Sequence, residues 1–527
     1  MTAGPLGNRI FRGLWIGVLA SNVGTWMQTV GAQWLVVHEP HAATWVSLVQ
    51  AVTMLPVLLL ALPSGALADE LDRRRLLLGV QLGLLVVAGA LAALTAVDLM
   101  SPALLLVFTF ALGVGQAVTL PTWQAIIPEV VPRDELPAAS SLGAVNTNLA
   151  RSAGPAVAGL IVAQAGPAVV FGLNALSFAV FAVALLRWRR TEKGPARAER
   201  FGPALRAGAR YVEYSPEVRR ILLRVALFVL PGSVVWSLLP LVARAGLGLG
   251  ASGYGVLLAA LGVGAIAGAL LMPRVRRGMS PDWLIVAAGL AYAIALVLIG
   301  LVRQPVVAVG ALVVAGLAWM TLVSRMNAAM QLFLPNWVRA RGFAVYQVVF
   351  AGGQVLGAVV WGQVAGLTGV AGLTGLSTAF LAAAGVMLAG TLTVRWLPLH
   401  TREGTDRGPA SYWPEPHLML QPHLDEGPVM VQAVWTVPAS ASTAFLKAMD
   451  SVRRSRQQTG ATRWDLFRDG EQPEKYVEVY LVPTWAEHLA QHEGRLTGAD
   501  ERAEEAAAAL ATGMPEVTHL LPADSTD

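Results

Sequence analysis

Arg151 stands in a largely apolar stretch, with Asn146, Thr147 and Asn148 just before it and Gly154-Pro155 just after. An arginine so placed can do one of two things. Its planar fork of N–H donors can hold an anionic group on a ligand, or it can join helices by donating to backbone carbonyls. Asn22, Gln28 and Gln33, interleaved with Trp26 and Trp34, form a second polar set, and Gln50, Gln116, Gln347 and Gln354 are lone amides in similar surroundings. Asn22 and Trp26 are one helical turn apart, so both can line one cavity. Each amide serves either as a ligand contact or as hydrogen-bonding glue between helices. Arg325, followed by Asn327 and Gln331, fits a position near a gate. The acidic residues are the counterpoint: Asp69, Asp98 and Glu129 fall at the ends of apolar runs, and none lies well inside one. There is no cysteine, which excludes disulfides, thiol catalysis and cysteine metal sites. No G-x-x-x-x-G-K-(S/T) loop is present, which argues against an intrinsic ATP motor.

The elements that must position these residues are long and apolar. Of 527 residues, 55% are hydrophobic and 13% charged, against about 25% charged in soluble domains. That is a membrane composition. A spanning helix needs about 20 apolar residues. Six runs supply this at 10–37, 43–68, 76–97, 102–124, 139–164 and 167–187. Six more follow a basic stretch at 187–220, namely 220–243, 250–272, 282–302, 306–332, 342–366 and 372–396. The first is too long for a cleavable signal and is expected to remain as a span. Arginines gather in alternate loops: Arg9 and Arg12, Arg73 to Arg75, Arg133, the 187–220 stretch, Arg274, Arg276 and Arg277, Arg339 and Arg341, Arg395 and Arg402. The net charge of +5 therefore reads as a topology signal, both termini cytoplasmic, and not as a nucleic-acid surface. On a helix starting near Ala139, Arg151 lies about 18 Å along, near the bilayer midplane. A charge there costs about 3 kcal/mol and is expected to face the bundle interior. Trp34 fits an anchor at the membrane interface.

The turn Gly65-Ala66-Leu67-Ala68-Asp69-Glu70-Leu71-Asp72-Arg73-Arg74-Arg75 resembles the signature loop between helices 2 and 3 of major facilitator superfamily transporters, G-x-x-x-D-(R/K)-x-G-R-(R/K). Gly65, Asp69, Arg73 and Arg74 match; Glu70 and Asp72 depart from it. Gly154, Pro155 and Gly159 resemble the superfamily's exporter motif G-x-x-x-G-P-x-x-G-G, with Ala150 and Ala158 in place of two glycines. The resemblance implies an all-α polytopic fold of twelve helices in two halves, residues 1–190 and 218–397, joined by a cytoplasmic linker at 191–217. It implies secondary transport by alternating access, with Gly65, Asp69, Arg73, Arg74, Gly154, Pro155 and Arg325 in gating. Asn22, Trp26, Gln28, Gln50, Gln116, Asn146, Arg151, Gln347 and Gln354 are then the substrate-contact candidates. The chain is similar to the enterobactin-exporter-like transmembrane secretion effector group, which implies export of a small amphipathic molecule, such as a siderophore, secondary metabolite or drug, across the bacterial cytoplasmic membrane. Proton coupling is implied as well, although the helix-4 arginine of many proton-antiporting relatives is missing from 108–116.

Two soluble pieces complete the reading. In the linker, Phe201, Leu205 and Val212 lie near one helical face, with Arg206 and Arg210 at polar positions. That fits an amphipathic segment on the membrane surface, or a plain tether. Residues 398–428 carry Pro398, Pro409, Pro414, Pro416, Pro422 and Pro428 and read as a second linker. Beyond it, strand patterns at 429–437, 462–468, 476–482 and 516–521 alternate with helical stretches at 439–459, from Thr484, and at 503–510. This β-α-β-β-α-β order predicts an α+β ferredoxin-like domain over 429–527. That domain is similar to the dimeric antibiotic-biosynthesis-monooxygenase kind, so Trp464, Tyr476, Glu478 and His488 either line a pocket or belong to a sheet that dimerises or binds a partner. His488 and His492 are four apart beside Glu487 and Glu493, and a zinc site there needs further ligands. No cofactor and no metal are expected. The alternative reading is a membrane-anchored enzyme or sensor whose tail acts on a metabolite.

Overall fold

The computed structural model describes residues 4–188, 201–275, 280–367, 373–396, 410, 413, 418–420 and 422–523. Among these, twelve helices of 20 to 30 residues carry the apolar runs. The first six are α1 (Arg9–Val36), α2 (Ala42–Glu70), α3 (Arg73–Ala96), α4 (Pro102–Val130), α5 (Leu136–Ala165) and α6 (Pro167–Arg187). A shorter helix, α7 (Phe201–Tyr214), precedes α8 (Pro216–Leu241), α9 (Ala251–Val275), α10 (Pro281–Leu301), α11 (Pro305–Phe333), α12 (Arg339–Leu367) and α13 (Leu373–Leu392). Side-chain chemistry sets their ends. Asn8 caps α1 by accepting from the Ile10 and Phe11 amides, and Asp72 caps α3 by accepting from Arg75. Ser101 and Ser280 cap α4 and α10, each with proline in the first turn. Gly166, at φ 80°, closes α5 in a conformation that favours glycine, and Pro167 opens α6.

The chain forms two compact units: Met1–Ala198, Leu222–Asn327 and Tyr346–Leu399 make one, and Glu199–Ile221, Ala328–Val345 and His400–Asp527 the other. In the first, α1, α3 and α6 pack together, α2 pairs with α4, and α5 lies against both α1 and α9. Val36, Val46, Leu84, Leu91, Leu105 and Phe171 form one buried cluster, and Phe11, Leu14, Leu77, Trp123, Phe181 and Leu185 another. Val86, Val107, Leu270 and Val306 are more than half exposed. Such an apolar exterior is stable only against lipid. Among the described residues ten helices are long and apolar enough to cross a membrane. The two long helices outside that set are α1 and α5, which carry the polar residues.

The second unit holds an antiparallel sheet of four strands, β1 (Val429–Thr436), β2 (Arg463–Arg468), β3 (Lys475–Val482) and β4 (Glu516–Leu520), in the order β2-β3-β1-β4. Helices α14 (Ser442–Thr459), α15 (Trp485–Ala490) and α16 (Gly498–Ala508) complete an α+β, ferredoxin-like domain. Its core gathers Trp435, Phe445, Met449, Val452 and Tyr476. Helix α7 packs on α14, so protein covers part of the linker's buried face, which its amphipathic pattern left open between a membrane-surface segment and a plain tether. Arg210 donates to the Gly460 carbonyl, and Gln458 Nε2 donates to the Tyr214 carbonyl at 2.9 Å. Phe201 and Leu205 have side chains outside the described set.

Candidate functional site

The polar helices α1 and α5 meet at Gly154. A Cβ there would lie 2.7 Å from the Trp26 Cβ, so only glycine permits this approach. One turn before it, midway along α5, the Arg151 guanidinium stands 5.7 Å from the Trp26 ring centre, a cation–π distance. Asn22 Nδ2 donates to Asn146 Oδ1 at 2.8 Å, and Asn146 Nδ2 donates to the Trp15 carbonyl at 3.1 Å. Asn22, Trp26, Asn146 and Arg151 are therefore one contiguous group. On its other face α5 touches α9, where a Cβ on Gly255 would lie 2.8 Å from the Pro155 carbonyl oxygen. The Gly154-Pro155 pair thus packs α5 against both halves.

From Trp26 the aromatic surface runs into the second half. Trp26 and Trp236 of α8 lie 5.8 Å apart, Trp236 and Trp319 of α11 6.0 Å, and Trp319 and Phe350 of α12 6.1 Å. Nearby, Gln33 Nε2 donates to the Trp236 carbonyl at 3.0 Å and lies 3.4 Å from Gln50 Oε1, while Tyr254 donates to Gln33 Oε1. Trp34 is stacked on Tyr254 at 6.0 Å, in contact with α9 instead of standing alone as an anchor. Among the described residues, Arg151 Nε, Trp236 Nε1 and Gln354 Oε1 are buried without a hydrogen-bond partner. Two unmet donors thus flank Trp26. Buried donors usually have partners, and a ligand bringing acceptor oxygens would satisfy both.

Over residues 1–527 the chain matches the family described as transmembrane secretion effector. The chain belongs to that family, within the major facilitator superfamily. It is 27% identical over 255 residues to the staphyloferrin A transporter of Staphylococcus aureus, a match covering 48% of this chain and 64% of that protein. It is 26% identical over 334 residues to the enterobactin exporter EntS of Escherichia coli O1:K1, covering 62% of this chain and 77% of that one. The crystal structure of a bacterial homologue of the human lysosomal transporter Spinster, inward-facing and occupied, aligns at TM-score 0.58 and 16% identity over 75% of this chain and 96% of that chain. That likeness is one of fold.

The other candidate residues disperse. Gln28 is buried and accepts from Asn174 at 3.3 Å, and Gln116 donates to Thr25 at 3.1 Å, both bonds between helices. Gln347 is half-buried one turn from Phe350, and Gln354 is buried. In the signature turn, the surroundings of Gly65 and the side chain of Asp69 lie outside the described set. Arg73 pairs with Glu129 at the end of α4 at 2.9 Å, and Arg74 donates to the Leu185 and Leu186 carbonyls closing α6. Both arginines thus tie α3 to its own half. Arg325 is buried on α11.

In the tail, Glu478 is fully buried and engaged by Arg456 Nε at 3.0 Å, Trp464 Nε1 at 2.9 Å and Trp435 Nε1 at 3.3 Å. Arg456 also pairs with Glu504 at 3.0 Å and stacks 4.6 Å from Trp413. Although burial opposes it, the two carboxylates hold the guanidinium well above its ordinary value. Tyr476 shares a hydrogen bond with Ser442 at 2.5 Å. Both Glu478 oxygens accept hydrogen bonds within the core, which leaves this carboxylate poorly placed as a catalytic base.

Proposed function

We propose that this chain is a secondary active exporter of the bacterial cytoplasmic membrane, moving a small amphipathic molecule with an anionic group, of the siderophore, secondary-metabolite or drug class. The observation that carries the reading is Arg151, which no carboxylate among the described residues partners, on the flank of Trp26 with its Nε unmet and the Trp236 N–H unmet nearby. A carboxylate or catecholate oxygen would take both donors, while the Trp26–Trp236–Trp319 rings receive the apolar part. The cargoes in the names of the two relatives, staphyloferrin A and enterobactin, support the siderophore class.

Alternating access is supported by which helices meet. The halves pack through α5 and α9 at Gly159 and Gly255, and through Arg244 of the second half donating to the Val37 carbonyl of the first. Rocking about these contacts exposes the Arg151 site to each side in turn. Arg73 and Arg74 would stiffen the first half as a body, with Asp69 and Arg325 acting at the gate. Both termini are cytoplasmic and protons drive the cycle. The tail serves as a partner-binding or dimerising module.

The test is efflux of a cargo panel, siderophores included, from cells expressing wild type, Arg151→Ala or Arg151→Lys, with and without an uncoupler. Gradient-dependent efflux that Arg151→Ala abolishes at equal membrane expression supports the reading. Efflux untouched by the substitution overturns the role of Arg151, and no flux of any compound overturns export.

A further inference from the structure

Outside the transmembrane bundle, one group of side chains has donors turned inward with no use in the account above. His488 on α15 and His492 in the turn that follows it, Gln491–Arg495, are one helical turn apart. His519 on β4 faces the same helices, because it pairs with Val431, whose side chain is buried in the core. Candidate ligand nitrogens of the three lie within 4.8 Å of one another. Ring centres are 4.9 Å apart for His488 and His492, and 4.9 Å for His488 and His519.

The hydrogen bonds around His488 fix which nitrogen is available. Gln491 Nε2 donates to Thr459 Oγ1 at 3.1 Å, and that hydroxyl donates onward to the Ser455 carbonyl at 2.9 Å. Gln491 therefore turns its oxygen to His488 Nδ1, 3.2 Å away, and Nδ1 carries the proton. That leaves Nε2 as a bare lone pair, buried and without a hydrogen-bond partner. A metal-bound histidine shows the same arrangement, its far N–H held by a carbonyl oxygen and the other nitrogen on the ion. His488 is wholly buried. Trp485 packs 5.3 Å from His488 and Trp413 5.0 Å from His492, walling the group with indoles.

We propose that His488, His492 and His519 form a site for one divalent transition-metal ion in the C-terminal domain. Three imidazoles without thiolate suit Zn2+, Co2+, Ni2+ or Cu2+ and disfavour the oxygen-seeking Ca2+ and Mg2+. Zinc–nitrogen bonds of about 2.0–2.1 Å require the rings to swing inward by roughly an ångström, and leave a fourth position open. The proposal is independent of what the bundle transports.

The experiment uses the full-length chain, purified without a histidine tag in detergent, loaded with ZnCl2 and desalted, with metal counted by mass spectrometry. One zinc per chain is expected, and cobalt loading should give the visible ligand-field bands of a tetrahedral nitrogen site. His488→Ala, His492→Gln and His519→Gln should each weaken retention by about tenfold or more, while His423→Ala should leave it unchanged. Should His488→Ala fail to fold, His519→Gln, at a half-exposed strand position, carries the test. No retained zinc, or equal retention by the cluster variants, overturns the proposal.

Discussion

Arg151 shows how a single side chain can organise a reading. It lies midway along α5, beside Trp26, without a carboxylate partner among the described residues. A structural arginine would be expected to bond backbone carbonyls throughout; this one keeps Nε unmet. A charge-assisted hydrogen bond contributes about 1.5–3 kcal/mol, so at sub-saturating cargo Arg151→Ala should cut transport by about 10–100-fold, to near background, with Arg151→Lys intermediate. At the signature turn a smaller effect is expected. Arg73 and Glu129 are in contact at 2.9 Å but partly exposed, 25% and 14%. A double-mutant cycle on thermal stability should therefore give a coupling no larger than about 1 kcal/mol. Asn22, Trp26, Asn146 and Arg151 were legible in the sequence because polar groups in apolar helices need a reason to be there. Trp236, Trp319 and Phe350 were not, because an aromatic ring in a spanning segment reads equally as core, as lipid contact or as an interface anchor. Only the ring contacts that run from Trp26 on α1 through Trp236 on α8 to Trp319 on α11 and Phe350 on α12 separate those cases.

Helices and strands follow from period and caps, and the chain's apolar runs, its α2–α3 turn and its β-α-β-β-α-β tail were all readable on that basis. The partner of α7 was not, since an amphipathic face looks the same whether lipid or α14 covers it. Helix packing gives its own prediction. Gly154→Leu places a side chain where Trp26 already stands, whereas Gly143, on the same helix, has open space at its Cβ. Gly154→Leu should destabilise the protein by about 1–3 kcal/mol and abolish transport, while Gly143→Leu should do neither; melting curves and efflux check both. In the tail, Asp469 accepts from the Glu471 and Gln472 amides at 2.8 and 3.1 Å, which hold its carboxyl below the ordinary 3.8. The unfolded chain therefore takes up that proton first. The stabilisation of the β2–β3 hairpin is fully present above about pH 4 and lost as pH falls through the native value. Asp469→Ala should flatten this acid limb, as read by hydrogen exchange across the hairpin.

As a whole molecule, the chain places its least apolar helices, α1 and α5, together and presents apolar side chains such as Val86 and Val306 on its exterior. That inversion of a soluble protein is what lipid requires. The polar pair alone does not make a carrier; it needs the second half, which supplies Trp236 and Trp319 and meets the first at Gly159 and Gly255. Transport through one shared site is therefore the central claim. Its most direct test is counterflow of a radiolabelled siderophore in proteoliposomes, comparing wild type with Arg151→Ala at equal reconstitution, first without a gradient and then with an imposed pH gradient. Wild-type counterflow should be driven by unlabelled cargo and accelerated by the pH gradient, and should be lost in Arg151→Ala. Equal counterflow in both proteins would contradict the site, and no counterflow of any anionic amphipathic cargo would contradict the carrier.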